Sequence, residues 1–204
     1  MQIRRLYAHE RPLYAEHLKR LAENDRRLRF ARGGVTDGWI DTHVAGIAED
    51  DLVLGAVERD RVIGAAHVAL SGELAEVGVS VDSDNRTGGI GSDLLRQAVT
   101  FARNRRAEKL YTLCLSDNRS MVALARRSGM VVHYQGSEAE AYLDLPPPDS
   151  VTVGQEVSIG LFAVFHDWAE VMDSYSEVLV NAMPPISLDG LPLPLPEWLG
   201  GAKR

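Results

Sequence analysis

Apolar and polar positions follow two periods along this chain, and the switches between them mark out its elements. Gln2 to Tyr7 reads as a short strand. From Arg11 to Leu28 the apolar positions Leu13, Tyr14, Leu18 and Leu21 recur at helical spacing and predict a first helix. Thr36 is placed to cap a second helix from Asp37 through Ile47, with Trp39, Ile40, Val44 and Ile47 on one side. Leu52 to Glu58 and Arg61 to Leu70 then read as strands joined by a turn at Asp60. A further strand follows, in which Val77, Val79 and Val81 alternate with Glu76, Gly78 and Ser80. The polar run Asp82 to Asn85 turns the chain, and a helix opens at Ser92 with Leu94, Leu95, Ala98, Val99 and Ala102 as its apolar face. Lys109 to Leu115 is the next strand, and Asn118 to Ser128 is a helix closed by Gly129. Val131 to Tyr134 and Ala139 to Leu145 form a final hairpin. Strands and helices interleaved in this order predict an α+β domain, a mixed sheet flanked by helices.

Pro146, Pro147 and Pro148 end that pattern, so residues 1–145 are expected to form one domain and residues 146–204 a C-terminal extension. Within the extension a long helix is predicted over about 156–182. Leu161, Phe165, Trp168, Met172, Tyr175 and Leu179 form one apolar stripe, and Val157, Val164, Val171 and Val178 form a second. Two stripes imply two contacts, one with the helix's own domain and one with a second copy of the chain, so a homodimer through this helix is expected. The tail PLPLPEWLGG reads as extended, with Trp198 as an anchor, or as disordered.

The most informative stretch is AEVGVSVDSDNRTGGIGSDLL, Ala75 to Leu95. Three glycines at a helix start let the backbone curl close to a ligand, and the unpaired N–H groups there attract phosphate. Arg86 adds a full positive charge. The pattern is not a Walker loop, because Ser92-Asp93 stands where Lys-Ser/Thr belongs, and not a dinucleotide fingerprint, because Leu94 stands where a third glycine belongs. It is R-x-x-G-x-G, read as Arg86, Gly89 and Gly91, with a glutamate ten positions before the arginine. With the valine-rich strand before it, LLRQAVTFA after it, a second strand and then N-x-x-x-x-x-L-x-x-x-x-G, the chain resembles the GNAT superfamily of acetyl-CoA-dependent N-acetyltransferases.

That resemblance implies acetyl-CoA as co-substrate. It implies that the strands at Ala75 and Lys109 splay so that pantetheine pairs with main-chain groups of Val79, Ser80 and Val81. Arg86, Thr87, Gly88, Gly89, Ile90, Gly91 and Ser92 match the pyrophosphate loop, and Asn118 matches an asparagine that contacts the cofactor arm while also serving as a helix cap. Glu76 matches a glutamate that draws the amine proton, and read without the family it is a surface strand residue. A backbone N–H of the same strand would support the oxyanion. The tyrosine that often acts as general acid, seven residues after the asparagine, is here Ala125; Tyr111, Tyr134, Ser116 and solvent are the substitutes. The R-x-R-F piece Arg27, Arg29 and Phe30 has counterparts near the acceptor side of some protein-modifying relatives, and it equally reads as an exposed helix end.

Composition narrows the field. A net charge of −7 over 204 residues argues against a nucleic-acid partner and suits a cationic acceptor. The single cysteine, Cys114, lies in an apolar run and reads as a core thiol. No apolar run approaches the ~20 residues that span a bilayer, and no signal-peptide block opens the chain, so a cytoplasmic location without a membrane partner is expected. His9, His17, His43, His67, His133 and His166 show no ligand spacing, and no metal site is expected. The chemistry sets one demand above the others. A lysine-type amine of pKa ~10.4 costs about 4.6 kcal/mol to hold neutral at pH 7 unless a base takes its proton, whereas a thiol of pKa ~8.5 leaves readily. Two functions meet these observations: an N-acetyltransferase acting on a primary amine, small molecule or protein, and a non-catalytic acetyl-CoA-binding module that signals through the C-terminal helix.

Overall fold

Continuous burial along the central strands Leu52–Glu58 and Arg61–Ser71, with alternation along their neighbours, builds one seven-stranded sheet, seen in a computed structural model that describes residues 1–158 and 160. The strands are β1 (Gln2–Arg5), β2 (Leu52–Glu58), β3 (Arg61–Ser71), β4 (Leu74–Val81), β5 (Lys109–Leu115), β6 (Val131–Gln135) and β7 (Glu138–Asp144), in the order β1-β2-β3-β4-β5-β7-β6. β1 to β4 form an antiparallel meander. The β2–β3 turn is tight, with Arg59 and Asp60 both at positive φ (48° and 60°), the backbone that two-residue hairpin loops require. β4 and β5 are parallel, and β5–β7 and β7–β6 are antiparallel. The mixed sheet expected from the sequence is the one observed.

Each face of the sheet carries its own core. On one face α4 (Ile90–Asn104) and α5 (Arg119–Arg127) bury Ile90, Leu94, Leu95, Ala98, Phe101, Met121, Val122 and Leu124 against Ala66, Val68, Ala75, Val77 and Leu110. On the other, α1 (Arg11–Arg20) and α3 (Asp37–Ala45) bury Tyr14, Leu18, Ile40 and Val44 against Val53, Val62 and Ala65. Thr36 caps α3, its Oγ1 accepting from Trp39 N at 3.2 Å. Asn118 caps α5 in the same way, accepting from Met121 N at 3.1 Å. Gly129 follows α5 at φ 81°, the left-handed residue expected after a helix end.

Three elements differ from their predicted form. The helix predicted over Arg11–Leu28 is two helices, α1 and α2 (Glu23–Phe30), because the chain extends at Leu21 (ψ 138°). No proline or glycine marks the break. It is held by one side chain of the second helix: Arg26 donates to Leu21 O (3.0 Å), to Lys19 O and to Val35 O (3.2 Å), and pairs with Asp37 at 2.7 Å. These bonds satisfy carbonyls at the end of α1 that a continuing helix would have used. The helix predicted to open at Ser92 begins at Ile90, because Gly89 alone takes the left-handed turn (φ 76°) and Gly91 is already helical. The third concerns the extension. A helical segment is already under way at 150, where Asp149 Oδ1 accepts from Thr152 N at 2.8 Å. The start of the extension is tied to the end of α4: Arg103 donates to Pro146 O and Pro147 O, and Asn104 donates to Thr152 O and Glu156. Most of the helix predicted over 156–182, its two apolar stripes, the homodimer argued from them and the Trp198 tail lie outside the described residues.

Candidate active site

Parallel pairing between β4 and β5 lasts three rungs, Leu74–Lys109, Ala75–Leu110 and Glu76–Tyr111, and then stops. From Val77 onward β4 keeps its partner β3 on one side, while β5 continues beside β7 from Thr112 to Leu115. The two strands therefore open into a groove whose apex is the Glu76–Tyr111 rung. Along it, Gly78 to Val81 turn an unpaired main-chain edge toward β5, a row of donors and acceptors of the kind that takes an added strand or an extended amide chain.

A cavity of about 470 Å³ fills the open end. Val79, Ser80, Val81, Arg86, Gly89, Gly91, Ser92 and Asn118 line it, bringing together eight of the residues singled out from the sequence. Thr87 and Gly88 are exposed outside it. Ile90 is buried, its methyl group filling the space over Gly64 of β3. Glu76 lies at the apex and is exposed. The helix end facing the cavity suits a diphosphate. Gly89 O takes the N–H groups of Ser92 and Asp93, α4 has no side-chain cap, and its first-turn amides at Ile90 and Gly91 have no helical partner. A Cβ placed on Gly89 meets nothing within 4 Å, so the space a phosphate needs is open.

Residues the sequence reading had not assigned to the groove complete its walls. α2 crosses it and is tied to both sides: Asp25 pairs with Arg86 at 2.7 Å, Arg27 pairs with Asp117 at 2.6 Å, and Asn118 Nδ2 donates to Leu28 O at 3.3 Å. The charged run Asp25–Phe30 was the only sign of this in the sequence. Asp25 thus sets a carboxylate beside the one arginine assigned to a diphosphate, and the two anions compete for it. Asp25→Asn is expected to tighten acetyl-CoA binding several-fold at low ionic strength, with the gain shrinking as salt rises; titration calorimetry at two salt concentrations checks this.

Ser80 was singled out for its main chain, yet its side chain also has partners. Its Oγ is 2.9 Å from Nε2 of His17, which is fully buried, and His17 Nδ1 is 3.1 Å from Asp82. Burial by itself would raise the Asp82 carboxyl, but the His17 contact, with Arg61 at 2.9 Å and Arg20 at 3.8 Å, holds it below the usual carboxylate range. This network pins α1 to the end of β4. Nothing in the residue spacing connects His17 with Ser80.

At the apex Tyr111 faces Tyr142, with ring centroids 4.9 Å apart. Burial first, then the charge of Glu140, and after it Tyr142, Glu76 and Glu138, pushes its hydroxyl up to about 12. Of the three side chains named as substitutes for the missing acid, Tyr111 alone stands on the apex rung. Tyr134 is on the edge strand β6 and accepts from Arg126 at 3.2 Å, and Ser116 follows the end of β5. Among the described residues no group of three or more His, Cys, Asp or Glu side chains is arranged to hold a metal ion.

This geometry has known counterparts. The family model described as "Acetyltransferase (GNAT) family" matches residues 5–130. No curated protein matches the chain. Solved structures do, at low identity. The GNAT domain of S. lividans PAT is 16% identical with a TM-score of 0.61, covering 70% of this chain and 89% of that one. The ribosomal-protein-alanine N-acetyltransferase from Brucella melitensis is 20% identical with a TM-score of 0.54, covering 71% and 100%. The ribosomal-protein-S18-alanine N-acetyltransferase from Escherichia coli is 17% identical with a TM-score of 0.54, covering 73% and 95%. At these identities the structures speak for the fold, while the family model spans more than half of the chain. The splayed strands, the glycine turn at the start of α4 and that match carry one conclusion: the chain belongs to the GNAT family of acetyltransferases.

Proposed function

We propose that this protein moves an acetyl group from acetyl-CoA to a primary amine by direct attack within a ternary complex. The observation that carries the reading is the groove itself, which runs from an uncapped helix end with an arginine beside it to a glutamate at the apex of two parting strands. Bound there, acetyl-CoA supplies an acetyl thioester. Arg86 and the first-turn amides of α4 hold its diphosphate, and the open edge of β4 pairs with its amide arm. A β4 N–H near the apex steadies the charge that develops on the acetyl oxygen. Glu76 takes the amine proton, directly or through water, as the nitrogen–carbon bond forms and the nitrogen becomes acidic enough for a carboxylate to deprotonate. The bond from nitrogen to the acetyl carbon forms as the carbon–sulfur bond breaks, and the electron pair leaves on sulfur.

Tyr111 fills no acid role in this scheme. Its hydroxyl, pushed up to about 12, is a much weaker acid than the departing thiol. It serves as a hydrogen-bond donor, and the thiolate leaves as such or takes its proton from water. Alanine at position 125 is then no handicap.

Acetyl-CoA at a hundred times its dissociation constant is expected to stabilise the protein by about 2.7 kcal/mol, read as a rise in melting temperature, while ATP and NAD leave it unchanged. Release of free thiol with an amine panel then reports turnover. Stabilisation by NAD with none by acetyl-CoA would sink the assignment.

A further inference from the structure

Resting on the acetyltransferase reading, the geometry points to an acceptor that carries a carboxylate close to its amine, with Arg29 as the group that binds that carboxylate. Three cations of the groove have no ion pair among the described residues: Arg29, Arg119 and Arg127. Arg119 and Arg127 are exposed, so water meets their charge. Arg29 is half-buried, and its Nε is shielded from solvent without a hydrogen-bond partner. Its terminal nitrogen donates to Tyr14 Oη at 3.1 Å, and its guanidinium carbon is 5.0 Å from the Phe30 ring centre. Neither neutral partner offsets a positive charge, and a half-buried guanidinium held this way retains most of its capacity to bind an anion.

Its location says which anion. The guanidinium lies over Gly78 of β4, where any Cβ would overlap its carbon and both terminal nitrogens. Gly78 is two residues past the apex glutamate on the same face of the strand, about 7 Å along it, and three residues, about 10 Å, short of Val81, where the diphosphate loop begins. Arg29 therefore serves the reacting end of the groove rather than the phosphate end. The surroundings keep the charge available. Asp51 is committed to His67 at 3.0 Å and to Leu70 N at 3.2 Å. His43 is held neutral, lowered to about 4 by burial and then by Arg29, and His67 is lowered for the same two reasons in that order. An acceptor with its amine at Glu76 and an anion at Arg29 is a zwitterion of short span. A carboxylate one or two carbons from the amine fits it, whether in a free amino acid or on the side chain of a peptide's N-terminal aspartate.

The test compares kcat/KM of the full chain for free amino acids and their carboxamides, and for short peptides with aspartate or asparagine as the N-terminal residue. In at least one pair the carboxylate member is expected to be preferred about 10- to 100-fold, the range of a hydrogen bond to a charged group, and the pair that shows it identifies the source of the carboxylate. Arg29→Met should bring that ratio close to one, and Arg29→Lys should keep part of it. A general loss of stability would not alter such a ratio. Turnover with ratios near one in both pairs overturns the inference and leaves the acetyltransferase standing. An equal fall on acids and amides in Arg29→Met overturns it too, since Arg29 would then act on the acetyl oxygen. Acetyl-CoA binding without turnover of any acceptor overturns this inference and the acetyltransferase reading together.

Discussion

Replacing Glu76 with glutamine is expected to lower turnover by about 10² to 10⁴ while the dissociation constant of acetyl-CoA barely moves. The two quantities separate because they belong to different parts of β4. On the proposed mechanism, cofactor affinity comes from main-chain groups and the loop at Gly89, which the substitution leaves in place, and rate depends on the carboxylate standing where pairing with β5 ends. Glutamine keeps the size of the side chain and Glu76 is exposed, so the strand is undisturbed. Raising the pH should rescue the variant in part, because the free-amine population grows about tenfold per unit below the amine's pKa. Wild-type turnover by Glu76→Gln at pH 7 on the best acceptor would show that no carboxylate base is needed, leaving approximation of the two substrates as the source of rate.

Gly89→Val is expected to abolish measurable acetyl-CoA binding and leave the fold standing. Gly89 is at φ 76°, a conformation that costs an L-residue roughly 1 to 2 kcal/mol. For a chain of this size that is a fall in melting temperature of about 2 to 8 °C. The Cβ meets no protein atom within 4 Å, so no clash adds to the strain. The branched side chain instead enters the space in front of the α4 amides, and a diphosphate has to come within hydrogen-bond distance of them. Gly72→Val separates the two effects. Gly72 is at φ 61° with nothing near its Cβ, and it does not line the cavity, so it should lose comparable stability and keep its affinity. Calorimetry on the two variants decides. If Gly89→Val binds acetyl-CoA with unchanged affinity, the glycine turn does no more than start a helix.

These two positions were legible in the sequence by different routes. Gly89 was exposed by a glycine spacing at the start of a helix, whereas Glu76, by itself a surface strand residue, was singled out through the resemblance to the GNAT superfamily. The strands Leu52–Glu58 and Lys109–Leu115 have the bounds predicted for them, since short apolar runs between polar turns leave little room for another reading. The caps at Thr36 and Asn118 follow from side chains acting on amides three residues away.

What needed the tertiary structure is whatever joins residues far apart in the chain. The break between α1 and α2 has no glycine or proline to announce it, and Arg26 holds it from outside through carbonyls and a carboxylate on other segments. Arg29 read as part of an exposed helix end or, through the R-x-R-F resemblance, as a piece near the acceptor side, and only the packing of α2 across β4 sets it over Gly78 with no counter-ion among the described residues. His17 and Ser80, sixty-three residues apart, meet because α1 lies on the face of the sheet that Ser80 presents. By itself the sequence determined the strands, most of the helices and the glycine turn, because hydrophobic period, capping and turn chemistry act over a few residues. The crossing of α2, the counter-charge of Arg86 and the environment of Arg29 were decided by the tertiary structure, because a charge's partners are chosen by distance through space, which spacing along the chain does not encode.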